Sequence, residues 1–421
     1  MPLREQAPRV VRNIVLGLFG AQCAAAGALI AADAVRKRRA NEPSFPIHDT
    51  MEVDAGRNKV AVYGYGEKLY ADMLKSIDSA QRTIHFESFI WKADEVGHKF
   101  KDALIAAADR GVDVYIVYDV FANLVVDPFF FRMPPNIHVK KHPLVQSVAF
   151  WRPRNMGRDH RKLLVVDHEV AYVGGYNIGD DYAKYWRDTH ARVIGPSVRE
   201  LENAFVAYWN LRPAHMLPIQ ASPMRTYKGE LPTVAGRAWN GNITVQRNTP
   251  RLAVFPIRNM YLEAIDRAEK NIWLTTAYLI PDEDFRTALG RAAARGVDVR
   301  ILVPAKSNHV ISDWLSRTFY DGMLRDGIRL FLFENAMIHA KTATIDGEWS
   351  TIGTANLDRL SLLGNYEVNA EIRSPEVAEA LEQLFLTDLS NSHEMDLQHW
   401  LQRSLVAKAT ECLLAPWRPF F

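Results

Sequence analysis

His160-Arg-Lys162-Leu-Leu-Val-Val-Asp167 returns further along the chain as His339-Ala-Lys341-Thr-Ala-Thr-Ile-Asp346, so the pattern His-x-Lys-x4-Asp occurs twice. Each aspartate is followed by six residues and then by Gly-x-x-Asn, from Gly174 to Asn177 in the first copy and from Gly353 to Asn356 in the second. The correspondence continues to an acid, since Asp188 stands as far past His160 as Glu367 stands past His339. One such pattern arises by chance; two copies agreeing at histidine, lysine, aspartate, glycine and asparagine do not.

Each copy reads as a hairpin. Lys162 to Val166 and Lys341 to Ile345 have strand character, and Asp-His-Glu or Asp-Gly-Glu supplies a turn before a second apolar run. Side chains alternate across a strand, so histidine and lysine two residues apart project from one face. The glycines permit close backbone approach, which lets Asn177 and Asn356 join the same pockets. Two half-sites then offer two imidazoles, two ammonium groups and two amides, a set that suits a phosphodiester. Lys162 and Lys341 offset the charge on the non-bridging oxygens, and the asparagines donate to them as charge develops. One imidazole attacks phosphorus while the other protonates the leaving oxygen. Asp188 and Glu367 are expected each to orient the histidine of its own copy, and Asp167 and Asp346 to brace the hairpins and the lysines. No metal is called for: His-Glu-x-x-His is absent, and Cys23 and Cys412 are too few and too scattered for a zinc cluster.

At these residues the chain resembles the phospholipase D superfamily. Gly174-Gly-Tyr-Asn, Trp186-Arg-Asp-Thr-His190, Thr275-Thr-Ala-Tyr-Leu-Ile-Pro-Asp282, Thr354-Ala-Asn-Leu-Asp358 and Asn365-Tyr-Glu-Val-Asn369 are similar to its bacterial cardiolipin synthase branch. The resemblance implies two fused α/β sandwich domains, related by a pseudo-two-fold axis, with the active site at their interface and no cofactor. It also implies a phosphohistidine intermediate with His160 as nucleophile and His339 as general acid and then base, an assignment that the symmetric spacing alone leaves open. The implied reaction moves a phosphatidyl group between phosphatidylglycerol molecules. Hydrolysis to phosphatidic acid is the alternative; a metal-independent nuclease and a non-catalytic membrane scaffold stand behind it.

The rest of the chain agrees with duplication. At 421 residues, 48% hydrophobic and 24% charged, it can bury two cores. Arg110-Gly-Val-Asp-Val114 and Arg295-Gly-Val-Asp-Val299 each close an alanine-rich helix and open a strand. Periodicity predicts helix, strand, helix, strand over 70–80, 83–91, 99–110 and 112–118, and the same order over 260–270, 272–280, 284–295 and 297–303. Pro213 to Pro232 reads as the linker, giving an N-terminal segment 1–45, a first domain 46–220 and a second domain 221–421.

Ile14 to Ala32 is a 19-residue run whose only strongly polar member is Gln22; as a helix it would be about 28 Å long. A cleaved signal peptide competes with an uncleaved single-pass anchor. Arg36-Lys37-Arg38-Arg39, directly after the run, favours the anchor and a catalytic body in the cytoplasm. A net charge of +2 gives no global pull toward nucleic acid. The expected partners are phospholipid and the membrane. Phe129-Phe-Phe131, followed by Lys140, Lys141, Arg152, Arg154 and Arg158, reads either as a lip for anionic headgroups or as inward-packing rings beside a solvated face. The tail from Leu413 to Phe421 poses the same choice.

Overall fold

Both motif hairpins form, Leu163–Val166 with Val170–Gly174 and Thr342–Ile345 with Trp349–Gly353. Their turns need left-handed backbone at two successive residues, Asp167 and His168 in one (φ 54° and 65°), Asp346 and Gly347 in the other (φ 58° and 70°). Aspartate tolerates this region better than most side chains. Its carboxylate also has a task there. Asp167 accepts from the backbone N–H groups of Gln81, Arg82 and Thr83 at 2.8, 2.7 and 2.8 Å. Asp346 accepts from Glu269, Lys270 and Asn271 at 2.9, 2.7 and 3.0 Å. The motif aspartates thus clamp each turn to the start of the neighbouring strand. Although partial burial works against it, these N–H groups hold the Asp167 carboxyl below its usual range. We expect Asp167→Ala to lower stability by about 1–3 kcal/mol, read by urea unfolding, with catalysis retained by the folded fraction.

The computed structural model of the chain describes residues 3–38, 43–144, 157–211, 230–233 and 241–420. The hairpins sit within two eight-stranded sheets. The first runs Met51–Ala55, Asn58–Tyr63, His190–Ile194, Val170–Gly174, Leu163–Val166, Thr83–Ser88, Asp113–Asp119, Ile137–His142. The second runs Ile243–Asn248, Glu367–Arg373, Trp349–Gly353, Thr342–Ile345, Asn271–Thr275, Asp298–Pro304, Arg329–Phe333, Ser392–Glu394. From Asn58–Tyr63 onward the first order matches the second strand for strand, so the repeated elements are one unit used twice. Observed helices Gly66–Ser79, Glu95–Asp109, Pro256–Arg267 and Glu283–Ala294 fall where periodicity places them. Packed outside the sheets, they close two apolar cores. A third core lies between the sheets, where Leu163, Val165, Val173 and Leu201 meet Ile352, Val368, Ala370 and Leu381. Helices Val198–Trp209 and Pro375–Leu389 contribute to this shared layer.

Several expectations need correction. The motif strands begin at Leu163 and Thr342, leaving each lysine just ahead of its strand. The strand expected over 272–280 divides into Asn271–Thr275 and Leu279–Ile280. Thr276 is the cause: its hydroxyl donates to the Tyr278 carbonyl at 3.0 Å and accepts from Leu357 N–H at 3.1 Å. That turns the chain off the sheet to pair with Leu357–Asp358. Most of the expected linker, and Arg152 and Arg154, lie outside the described residues.

Leu3–Arg38 is helical, yet among the described residues no helix is long and apolar enough to cross a membrane. The single-pass span expected over Ile14 to Ala32 is therefore not supported. The run is rich in alanine and glycine, which add little apolar area, and its Gln22 is engaged by protein. Gln22 donates to the Leu413 carbonyl at 3.0 Å and accepts from Trp417 Nε1 at 3.0 Å. Leu29 packs beside Leu315, Leu414 and Trp417. The tail, through Leu405–Leu414 and Ala415–Phe420, packs on helix Val310–Arg325 instead of hanging free.

Candidate active site

Each motif histidine is positioned by the opposite half of the chain. Asp159 forms a parallel bridge with Tyr366, with His160 N–H donating to the Tyr366 carbonyl at 3.1 Å. In the mirror arrangement, Met337–Ile338 pairs in parallel with Trp186–Arg187, and His339 N–H donates to the Arg187 carbonyl at 2.7 Å. This register sets residue 160 beside 367, and 339 beside 188. His160 Nδ1 lies 3.0 and 3.1 Å from the two Glu367 oxygens. His339 Nδ1 lies 2.6 Å from Asp188 Oδ2. The sequence reading paired each acid with the histidine of its own copy; in the fold the carboxylates are exchanged. The exchange follows from closure about the pseudo-two-fold axis, which brings each acid-bearing strand end against the other motif. Arg187 makes that closure firm, its Nε and Nη2 bonding Asp388 at 2.9 and 2.8 Å across the halves.

The acids are held in turn. Thr354 Oγ1 and Asn365 Nδ2 donate to Glu367, and Thr189 N–H donates to Asp188 at 2.7 Å. The glycines matter through proximity: a Cβ on Gly174 would lie 2.5 Å from the Thr189 carbonyl oxygen, and one on Gly353 would lie 2.2 Å from Asn369 Oδ1. Asn177 uses its Oδ1 to accept from Ile90 N–H at 3.1 Å, which leaves its amide N–H groups to the cavity. Asn356 Oδ1 is buried without a hydrogen-bond partner among the described residues.

Both lysines are almost wholly buried and each donates to the carbonyl of the histidine two residues earlier, Lys162 at 2.6 Å. Burial lowers their pKa values, Lys162 to about 8 and Lys341 to about 7, against the opposing pull of Glu367 and Asp188. Burial, with the lysine charges behind it, also holds both imidazoles well below their usual range. It pushes the carboxyls up, Asp188 to about 6 and Glu367 to about 8. An anion entering this site restores charge to its cations, so binding draws in protons. Sulfate affinity, by calorimetry, is accordingly expected to weaken between pH 6 and pH 9, by up to about tenfold per pH unit for each proton taken up. Lys341→Met should flatten that profile.

His160, His339, Asn177 and Asn356 share the wall of one cavity of about 720 Å³. Lys162 and Lys341 stand behind its wall and do not line it; two other cavities, of about 710 and 660 Å³, contain neither motif histidine. Among the described residues, no group of three or more His, Cys, Asp or Glu is placed to hold a metal ion.

The family described as "Cardiolipin synthase, PLD-like domain" matches residues 73–209 and 261–389, once in each half. The chain belongs to this cardiolipin synthase family. Cardiolipin synthase of Listeria monocytogenes is 32% identical over 370 residues, covering 85% of this chain and 75% of its own length. Major cardiolipin synthase ClsA of Bacillus subtilis is 33% identical over 373 residues with the same coverage. In fold, phosphatidylserine synthase of Haemophilus influenzae superposes with a TM-score of 0.65 at 13% identity, covering 90% of this chain and 95% of that one.

In this member of the cardiolipin synthase family, several site residues fall outside the sequence prediction. Phe89 stands edge-on to His160 with ring centroids 4.7 Å apart. Trp186 and Tyr278 flank His339 at 5.2 and 6.4 Å. They fix the imidazole planes. No motif marks them, though Trp186 and Tyr278 lie inside the stretches that carry the family resemblance. Asp167 and Asp346 lie away from the cavity, as braces.

Proposed function

We propose that this protein makes cardiolipin from two phosphatidylglycerol molecules through a phosphohistidine. The observation that carries the reading is the pair of imidazoles sharing one cavity, each backed by a carboxylate from the opposite half and by a buried lysine. A phosphodiester monoanion entering the site favours charge on the buried lysines and a proton on one imidazole. The other stays neutral and nucleophilic.

His160 attacks phosphorus through Nε2, and the bond from phosphorus to the headgroup oxygen breaks. His339 gives that oxygen its proton, and glycerol leaves. A second phosphatidylglycerol then loses a hydroxyl proton to His339 as its oxygen attacks phosphorus, and the phosphorus–nitrogen bond breaks to release His160. We assign the direction from the family resemblance, which places the nucleophile in the first motif. Lys162, Lys341, Asn177 and Asn356 hold the non-bridging oxygens. We place this chemistry at the membrane surface, where a phospholipid substrate resides.

The test is mass spectrometry of products from phosphatidylglycerol liposomes with chelator present. Cardiolipin and free glycerol are expected. Phosphatidic acid would instead make the site a hydrolase, and cleavage of single-stranded DNA with no lipid product would make it a nuclease.

A further inference from the structure

Residues 120–133 expose apolar side chains in a way that a loosely packed loop does not. Phe121, Leu124, Val125 and Phe129 are 54, 57, 85 and 62% exposed. Between them, Asn123, Val126, Phe130 and Phe131 are buried. Phe130 packs edge-on against Trp91 at 5.4 Å, and Phe131 stacks on Tyr118 at 4.3 Å. Asn123 donates to the Phe89 and Asp119 carbonyls at 2.8 and 2.7 Å and accepts from Trp91 N–H at 2.9 Å. Asp119 accepts from the N–H groups of Phe121 and Ala122 at 2.8 and 3.1 Å. The segment is therefore firmly built, and what it holds outward is greasy. Of the two sequence readings of Phe129–Phe131, each describes part: two rings pack inward and one faces out.

Cations stand behind the tip. Arg132 lies 4.2 Å over the Phe129 ring, Arg158 lies 5.2 Å over Phe121, and Lys101 lies 5.1 Å over Phe130. Two acids stand near them: Asp127 accepts from Phe129 N–H at 2.9 Å, and the buried Asp119 lies 3.9 Å from Arg158. Apolar tips backed by long cationic side chains match the headgroup layer of an anionic leaflet.

The patch also runs into the catalytic cavity. Phe121 lines it, as do Leu360 from helix Arg359–Leu363 and Ile30 from the N-terminal helix, and all three are exposed. At about 720 Å³ the cavity has the volume of pockets that enclose a drug-sized ligand. A headgroup, phosphate and glycerol backbone fit such a space; two long acyl chains do not.

We propose that Phe121, Leu124, Val125 and Phe129 insert into the surface of an anionic phospholipid bilayer and hold the cavity mouth against it. The lipid then tips its headgroup into the site while its chains stay in the leaflet. The argument from acyl chains rests on the lipid substrate proposed above; the exposed, braced surface does not.

Two measurements on the full chain test this. In the first, a bimane on Val125→Cys, in a Cys23→Ser/Cys412→Ser background, is quenched by nitroxide lipids in phosphatidylglycerol vesicles. The same probe on Glu169→Cys, at the far hairpin turn, is not. In the second, Val125→Asp/Phe129→Ser lowers turnover of vesicle phosphatidylglycerol about tenfold or more and leaves turnover of monomeric dihexanoyl phosphatidylglycerol within about twofold. Equal quenching at both positions, or unchanged vesicle turnover in the double variant, overturns the proposal. So does equal loss on both substrates, which makes the loop a structural part of the site. Quenching confined to Val125→Cys in a protein that yields no lipid product would uphold the surface and overturn the lipid reaction.

Discussion

His160→Ala should form no covalent intermediate and lose about 10⁴-fold or more in turnover, because it removes the group proposed to attack phosphorus. His339→Ala should behave differently. With a p-nitrophenyl phosphodiester, whose leaving group departs without a proton, the phosphohistidine should still form and then persist, since the base that activates the acceptor is missing. Rapid acid quench and intact-protein mass spectrometry read both outcomes. An adduct in His160→Ala and none in His339→Ala would reverse the roles, and equal adducts in both would remove the assignment. The spacing of the two motifs is identical and leaves the roles open; the family resemblance assigns them, and the adducts test that assignment.

Local structure was legible where local rules govern it. Hairpins and the paired helix–strand units followed from alternation, period and turn chemistry, and the strand order bears them out; Asp167 and Asp346 accept from backbone N–H groups at those turns and do not touch the lysines. What the sequence could not show was anything set by closure of the two halves. Equal spacing from histidine to acid is as compatible with pairing inside a copy as with pairing between copies, and only the bridges of Asp159 with Tyr366 and Ile338 with Arg187 decide between them. The break at Thr276 was hidden for a related reason: the apolar run continues through it, and one hydroxyl redirects the backbone. The partners of the N-terminal run were not legible either. Gln22 reads as a tolerable polar residue in a span, yet it finds both a carbonyl and an indole on the C-terminal segment.

The exchange of carboxylates carries the second large effect. Asp188→Asn should slow turnover by about 10–10⁴-fold, the range between loss of an orienting partner of a metal-bound histidine and loss of the acid in a catalytic triad. The loss should depend on the leaving group. Asp188 supports His339, the proton donor, so phosphatidylglycerol should suffer far more than the p-nitrophenyl ester, whose leaving group needs no proton. Glu367→Gln acts on the nucleophile's side and should slow adduct formation from both substrates alike, with Thr354 and Asn365 still present to hold the glutamine. Had each acid served the histidine of its own copy, the two patterns would be swapped. Single-turnover rates on the two substrates therefore distinguish exchanged from unexchanged support. A double-mutant cycle gives the same answer independently, because Glu367 should couple to His160, 3.0 Å away, and be additive with His339. Coupling of Glu367 to His339 instead would mean that the halves close differently in solution, and the single cavity holding both histidines would go with it.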